Sequence, residues 1–187
     1  MMVMFYFSGT GNSKYIAELF SENMDIPCYS IEDDVNFEDI IINEETIGFC
    51  YPIYFSRIPK ILREFISKYM NSLKDKKLII FCTQQILSGD GTRAFVDLFE
   101  KGHIKVVYTE HFFMPSNIFP ITTNQEKIRK YVNNSEQKIS NYQQIVILMK
   151  ELLPLIDNID ISLDNEERID GFIEQIFNNI KSGGAKW

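Results

Sequence analysis

The chain reads as an α/β protein built on a doubly wound parallel sheet of five strands. Three observations predict this. Short apolar runs alternate with segments of helical periodicity through the first three quarters of the chain. The connections between them are short. The unusual residues collect after the first, third and fourth apolar runs, where open parallel sheets bind their ligands.

Taken in order, Val3–Phe7 is a short apolar run bounded by SGTG, suited to a strand buried on both faces. Tyr15, Ile16, Leu19 and Phe20 then recur at helical spacing. Pro27–Ile31 predicts a weaker strand and Thr46–Tyr51 (TIGFCY) a stronger one. Ile58, Ile61, Leu62, Phe65, Ile66 and Tyr69 define an amphipathic helix begun near Pro59. Lys77–Thr83 (KLIIFCT) is the clearest strand pattern, followed by a helix expected over Thr92–Lys101 with Gly102 at its end. Lys105–Phe113 closes the series as a strand. From Asn124 to about Leu153 the pattern predicts one long helix, or two broken near Asn133–Ser135, stopped by Pro154. Asp170–Lys181 predicts a further amphipathic helix, with Asp157–Glu167 as a surface turn. The 187 residues read as one domain, with a core of about 1–143 and a helical extension of about 144–187.

Composition narrows the function. Hydrophobic residues are 45% and charged residues 24%, as in ordinary globular proteins. A net charge of −7 argues against binding a phosphate backbone, so no nucleic-acid partner is expected. No apolar run is long enough for a transmembrane helix. The N-terminus MMVMFYF lacks a basic region and a small-residue cleavage site, and reads as the first strand of a cytoplasmic protein. Cys28, Cys50 and Cys82 are widely spaced in apolar runs and read as buried reduced thiols. His103 and His111 have no second ligand at metal-binding spacing, so no metal is expected.

The turn after the first strand, FYFSGTGNSKYIA, should hold an anion at a helix N-terminus. A nucleoside-triphosphate loop needs lysine straight after its second glycine, and here Asn12 follows Gly11. A dinucleotide fingerprint needs a third glycine where Lys14 stands. What remains is Ser8, Thr10, Gly11 and Ser13, three hydroxyls and several backbone N–H groups around one point. That set suits a compact phosphomonoester dianion.

With these residues the chain resembles the flavodoxin-like family, whose motif [ST]-x-[ST]-G-x-[ST] holds the phosphate of FMN. Tyr51–Pro59 (YPIYFSRIP) resembles the family's P-[VI]-Y…P segment after the third strand. The resemblance covers roughly residues 1–143 in element order. It is nearest to flavodoxin-like domains that accompany ferredoxin domains in anaerobic bacteria.

The resemblance implies a three-layer sandwich with strand order 2-1-3-4-5. It places Ser8, Gly9, Thr10, Gly11, Asn12 and Ser13 on the phosphate. Pro52, Ile53, Tyr54 and Phe55 would flank the isoalloxazine, with Tyr54 or Phe55 stacked on it. Thr83, Gln84, Gln85, Gly89, Asp90 and Gly91 would face its pyrimidine edge, although the QQIL stretch departs from a more glycine-rich family loop. Met114–Asn117 would form a rim or lid.

The expected function is electron transfer through bound FMN, with no residue of the chain catalytic in its own right. The chain carries no cluster-binding cysteine segment, so an iron–sulfur ferredoxin would be a separate partner. Two alternatives stand beside this. One is an NAD(P)H-dependent FMN or quinone reductase of the same fold; the other is a non-redox module with a decayed flavin site.

Overall fold

In the computed structural model the described residues are 1–54, 57–84, 91–99, 104–115 and 123–156, with side chains described through Gln144. Met1–Gln144 forms one compact unit and Ile145–Trp187 a second. The expected helix over Asp170–Lys181 and the Asp157–Glu167 turn lie outside the described residues.

The elements run β1 (Met2–Tyr6), α1 (Asn12–Met24), β2 (Cys28–Ser30), α2 (Phe37–Asn43), β3 (Thr46–Pro52) and α3 (Lys60–Lys68). After these come α4 (Met70–Leu73), β4 (Lys77–Gln84), α5 (Gly91–Val96), β5 (Lys105–Phe113) and α6 (Gln125–Ile156). The sheet is parallel throughout, in the order β2-β1-β3-β4-β5. Its central strands are apolar on both faces because helices cover both. Register aligns Phe5 with Phe49 and Phe49 with Ile80, so one face presents a continuous apolar row. The step from Leu78/Val106 to Ile79/Tyr108 skips Val107, a bulge that twists the edge strand and discourages further strand pairing.

Alternation divides the core in two. Val3, Phe5, Phe49, Tyr51, Ile80 and Cys82 pack with α2, α3, α4 and α5. Met4, Cys50, Ile79, Phe81 and Phe112 pack with α1 and with Ile139 and Tyr142 of α6.

Four elements differ from the sequence expectation, the single turn of α4 after Tyr69 being one of them. Helix α2 is an addition: Asn36 caps it by accepting from the Asp39 N–H, and Phe37 and Ile41 turn inward. The expected Thr92–Lys101 helix is shorter among the described residues: α5 spans Gly91–Val96, and Phe99 still reaches the core. Helix α6 continues through Asn133–Ser135 and past Pro154 to Ile156. Ser135 is tolerated there because its buried hydroxyl donates to the Tyr131 carbonyl one turn back.

Candidate functional site

The carboxyl ends of β1, β3 and β4 bring three segments to one edge of the sheet. The first follows β1, whose ladder is prolonged by Phe7 N–H donating to the Cys50 carbonyl at 3.0 Å. Gly9, Thr10 and Gly11 are exposed. Gly11 caps α1 at φ 97°, ψ −22°, and a Cβ there would meet nothing within 4 Å. The demand for glycine is therefore torsional and not steric. Gly11 N–H donates to Ser8 Oγ at 3.1 Å, and its carbonyl accepts from Tyr15 N–H at 2.9 Å, the first bond of the helix. Having no side chain, Gly11 offers no acceptor to the first-turn N–H groups, and no acidic residue stands in that turn. An anion at this position meets the positive end of the helix dipole.

The rest of the motif is anchored to distant strands. Ser13 is buried, its hydroxyl 2.7 Å from Thr83 Oγ1 at the end of β4. The Cys50 thiol, which burial pushes well above its ordinary pKa, donates to the Ser13 carbonyl at 3.2 Å. Asn12 Nδ2 donates to the Pro115 carbonyl at 2.9 Å, bringing the exit of β5 against the first turn. Met114 is buried beneath that exit; Ser116 and Asn117 lie outside the described residues.

After β3, Ile53 N–H donates to the Thr83 carbonyl at 2.9 Å, so Ile53 extends the ladder. Tyr54 and Arg57 close a turn by exchanging backbone hydrogen bonds of 3.1 and 2.9 Å. A Cβ on Gly9 would lie 3.1 Å from the Tyr54 hydroxyl, which places that ring against the first turn. The ring is 37% exposed, and partial burial raises its hydroxyl's pKa. Phe55 lies outside the described residues.

Beyond β4, Gln84 is buried, and its Oε1 has no hydrogen-bond partner among the described residues. Its carbonyl accepts from Met114 N–H at 2.8 Å. Gly91 is committed to packing: a Cβ there would fall 2.4 Å from Ile53 Cδ1, and its carbonyl accepts from the Tyr51 hydroxyl at 2.9 Å. Gln85, Gly89 and Asp90 lie outside the described residues. The contacts of Asn12, Thr83 and Gly91 span 103, 70 and 40 positions, which no local motif could reveal. No cluster capable of holding a metal occurs among the described residues, and no helix there is long and apolar enough to cross a membrane.

This geometry has counterparts. The fold is similar to that of two-electron-reduced flavodoxin from Megasphaera elsdenii, at 20% identity and a TM-score of 0.52, covering 74% of this chain and 99% of that one. The Trp repressor binding protein of Bacillus subtilis aligns at 12% identity and a TM-score of 0.55, covering 73% and 96%. A flavodoxin, WrbA-like protein from Agrobacterium tumefaciens aligns at 16% identity and a TM-score of 0.51, covering 77% and 95%. No curated protein sequence matches the chain. A family model described as the flavodoxin domain matches residues 3–116, which takes in all five strands and each of the three segments above. By that match the chain belongs to the flavodoxin domain family.

Proposed function

We propose that the protein binds FMN and works as an electron carrier. The observation that carries this is the glycine-capped start of α1: Gly9–Gly11 are exposed, Gly11 supplies no side-chain cap, and no acidic residue stands in the first turn. The residues present fit a phosphomonoester there and fit a pyrophosphate less well, since Lys14 occupies the glycine position that close approach requires. Tyr54, exposed and with its hydroxyl beside Gly9, offers an aromatic plane near that phosphate position, and Gln84 Oε1 is a buried acceptor at the same sheet edge. FMN, when bound, supplies the redox chemistry. The chain supplies N–H donors to its phosphate, an aromatic wall, and a net charge of −7 that disfavours additional negative charge.

Titrating the purified protein with FMN and with riboflavin tests this by absorbance and fluorescence. Riboflavin lacks the phosphate, so FMN should bind at least about tenfold more tightly, a difference of ~1.4 kcal/mol. Thr10→Glu sets a carboxylate against that phosphate and should cost FMN at least about tenfold while leaving riboflavin affinity near wild type. Equal affinity for the two flavins removes the phosphate assignment. Bleaching of the flavin bands by NADPH alone would mark the reductase instead of the carrier.

A further inference from the structure

The helices that begin at the site's edge differ in how they treat their dipoles. Helix α2, after β2, carries Glu38 and Asp39 in its first turn, where acids are stabilising, and exposed Glu32, Asp33 and Asp34 precede it. Helix α3, after β3, has no acid in its first turn and opens with Lys60, with Arg63 three residues on, over the same surface. Cations at a helix N-terminus meet the positive end of its dipole and are disfavoured there. Arg57, exposed, is fixed beside them by its two backbone bonds to Tyr54. Lys60 has one partner, Glu64 at 3.4 Å, and both side chains are largely exposed. Arg57 and Arg63 have no ion-pair partner among the described residues. Arg57 is thus bonded through the backbone to Tyr54, the residue expected to wall the flavin, and Lys60 and Arg63 follow it closely along the chain at the start of α3.

We propose that Arg57, Lys60 and Arg63 form the docking surface for a carboxylate-rich face of a protein partner; that the partner is an electron carrier rests on the flavin reading above. On a chain of net charge −7 an acidic partner is repelled by most of the surface, so a local basic rim sets its orientation more than its affinity. The long, exposed stems and the lack of burial suit a flat protein face better than a small dinucleotide.

The test uses the full chain, with and without FMN, and a fluorescently labelled acidic iron–sulfur ferredoxin as the probe in anisotropy titrations. The double variant Arg57→Glu/Arg63→Glu should weaken binding at least about tenfold at low ionic strength, with the difference shrinking as salt rises. Lys127→Glu/Arg129→Glu makes the same change in net charge on exposed positions of α6 and should alter binding less than about threefold. Equal losses in both variants, or no binding of the probe by the wild type, overturn the docking surface. A rim variant that changes only the KM for NADPH overturns it in favour of a nucleotide site. Flavin uptake is read separately by absorbance: a chain that binds the probe through the rim but takes up no FMN refutes the cofactor reading and leaves the docking surface standing.

Discussion

Beneath α2, α3 and α5 one face of the sheet is a mesh of aromatic rings, whereas the face beneath α1 and α6 joins a smaller aromatic set to a series of polar contacts. On the first, Phe65 lies 4.9 Å from Phe37, 4.8 Å from Tyr69 and 5.8 Å from Phe5, and Phe49 lies 5.0 Å from Phe95. On the second, Ser13 meets Thr83, Cys50 meets Ser13, Asn12 meets Pro115, and Lys138 meets Glu110 and the His111 carbonyl. The bonds that hold the candidate phosphate turn are nearly all on this second face. One side supplies mostly non-directional cohesion, and the other adds directional bonds that fix where a helix begins. Stability and site geometry should therefore respond to different substitutions.

The largest effect belongs to the aromatic face. Phe65→Ala removes a buried ring from four aromatic neighbours, and a loss of about 3–5 kcal/mol in urea unfolding is expected. Phe65→Leu keeps most of the volume and should lose less than about 1.5 kcal/mol. In the variant that remains folded, flavin affinity should stay within about twofold of wild type. A clear loss of affinity in Phe65→Leu would mean that the two faces are coupled.

A smaller effect with a sharper signature is expected on the polar face. Thr83→Val leaves the buried Ser13 hydroxyl without its partner and should cost ~1–3 kcal/mol. Removing both hydroxyls, in Ser13→Ala/Thr83→Val, should cost less than the sum of the single changes, because no polar group is then stranded. Strict additivity in this double-mutant cycle would show that the hydroxyls do not act as a pair.

The same contrast explains what the sequence disclosed. The strands were legible because a sheet covered on both sides needs continuous apolar runs, and Lys77–Thr83 and Thr46–Tyr51 are such runs. The first turn was legible because its requirements are local: a residue free to adopt φ 97° and small hydroxyls beside it. Helix α2 escaped notice because seven residues carry too few turns for periodicity, although Asn36 and the acidic first turn were a usable capping signal. The unbroken course of α6 was hidden because Asn133–Ser135 is unfavourable by propensity, while packing of Ser135 near Met114 overrides it. The roles of Thr83 and Gly91 in locking the loops depend on partners far along the chain, which only the fold assembles.

The smallest effect tests the polar face by titration. Burial, and then the charge and hydrogen bond of Glu110 at 3.3 Å, push the Tyr108 hydroxyl up to about 12 from an ordinary 10.0. A folded-state value above the unfolded one means the native chain holds this proton more tightly. The resulting stabilisation is complete below pH 10 and is lost as pH rises from 10 towards 12. Tyr54 and Tyr142 are also raised by burial, so the wild-type curve alone does not isolate one group. The difference between wild type and Tyr108→Phe does. The variant should lose one late step in ultraviolet phenolate absorbance and show a shallower decline of stability between pH 10 and 12. The Tyr108 ring lies 4.4 Å from that of Tyr142 on α6, tilted by 48°, and Phe keeps that ring contact, so a change in the slope with pH reports the proton and not the packing. If the two slopes coincide, Tyr108 ionises no later in the folded chain than in the unfolded one, and neither burial nor Glu110 holds its proton.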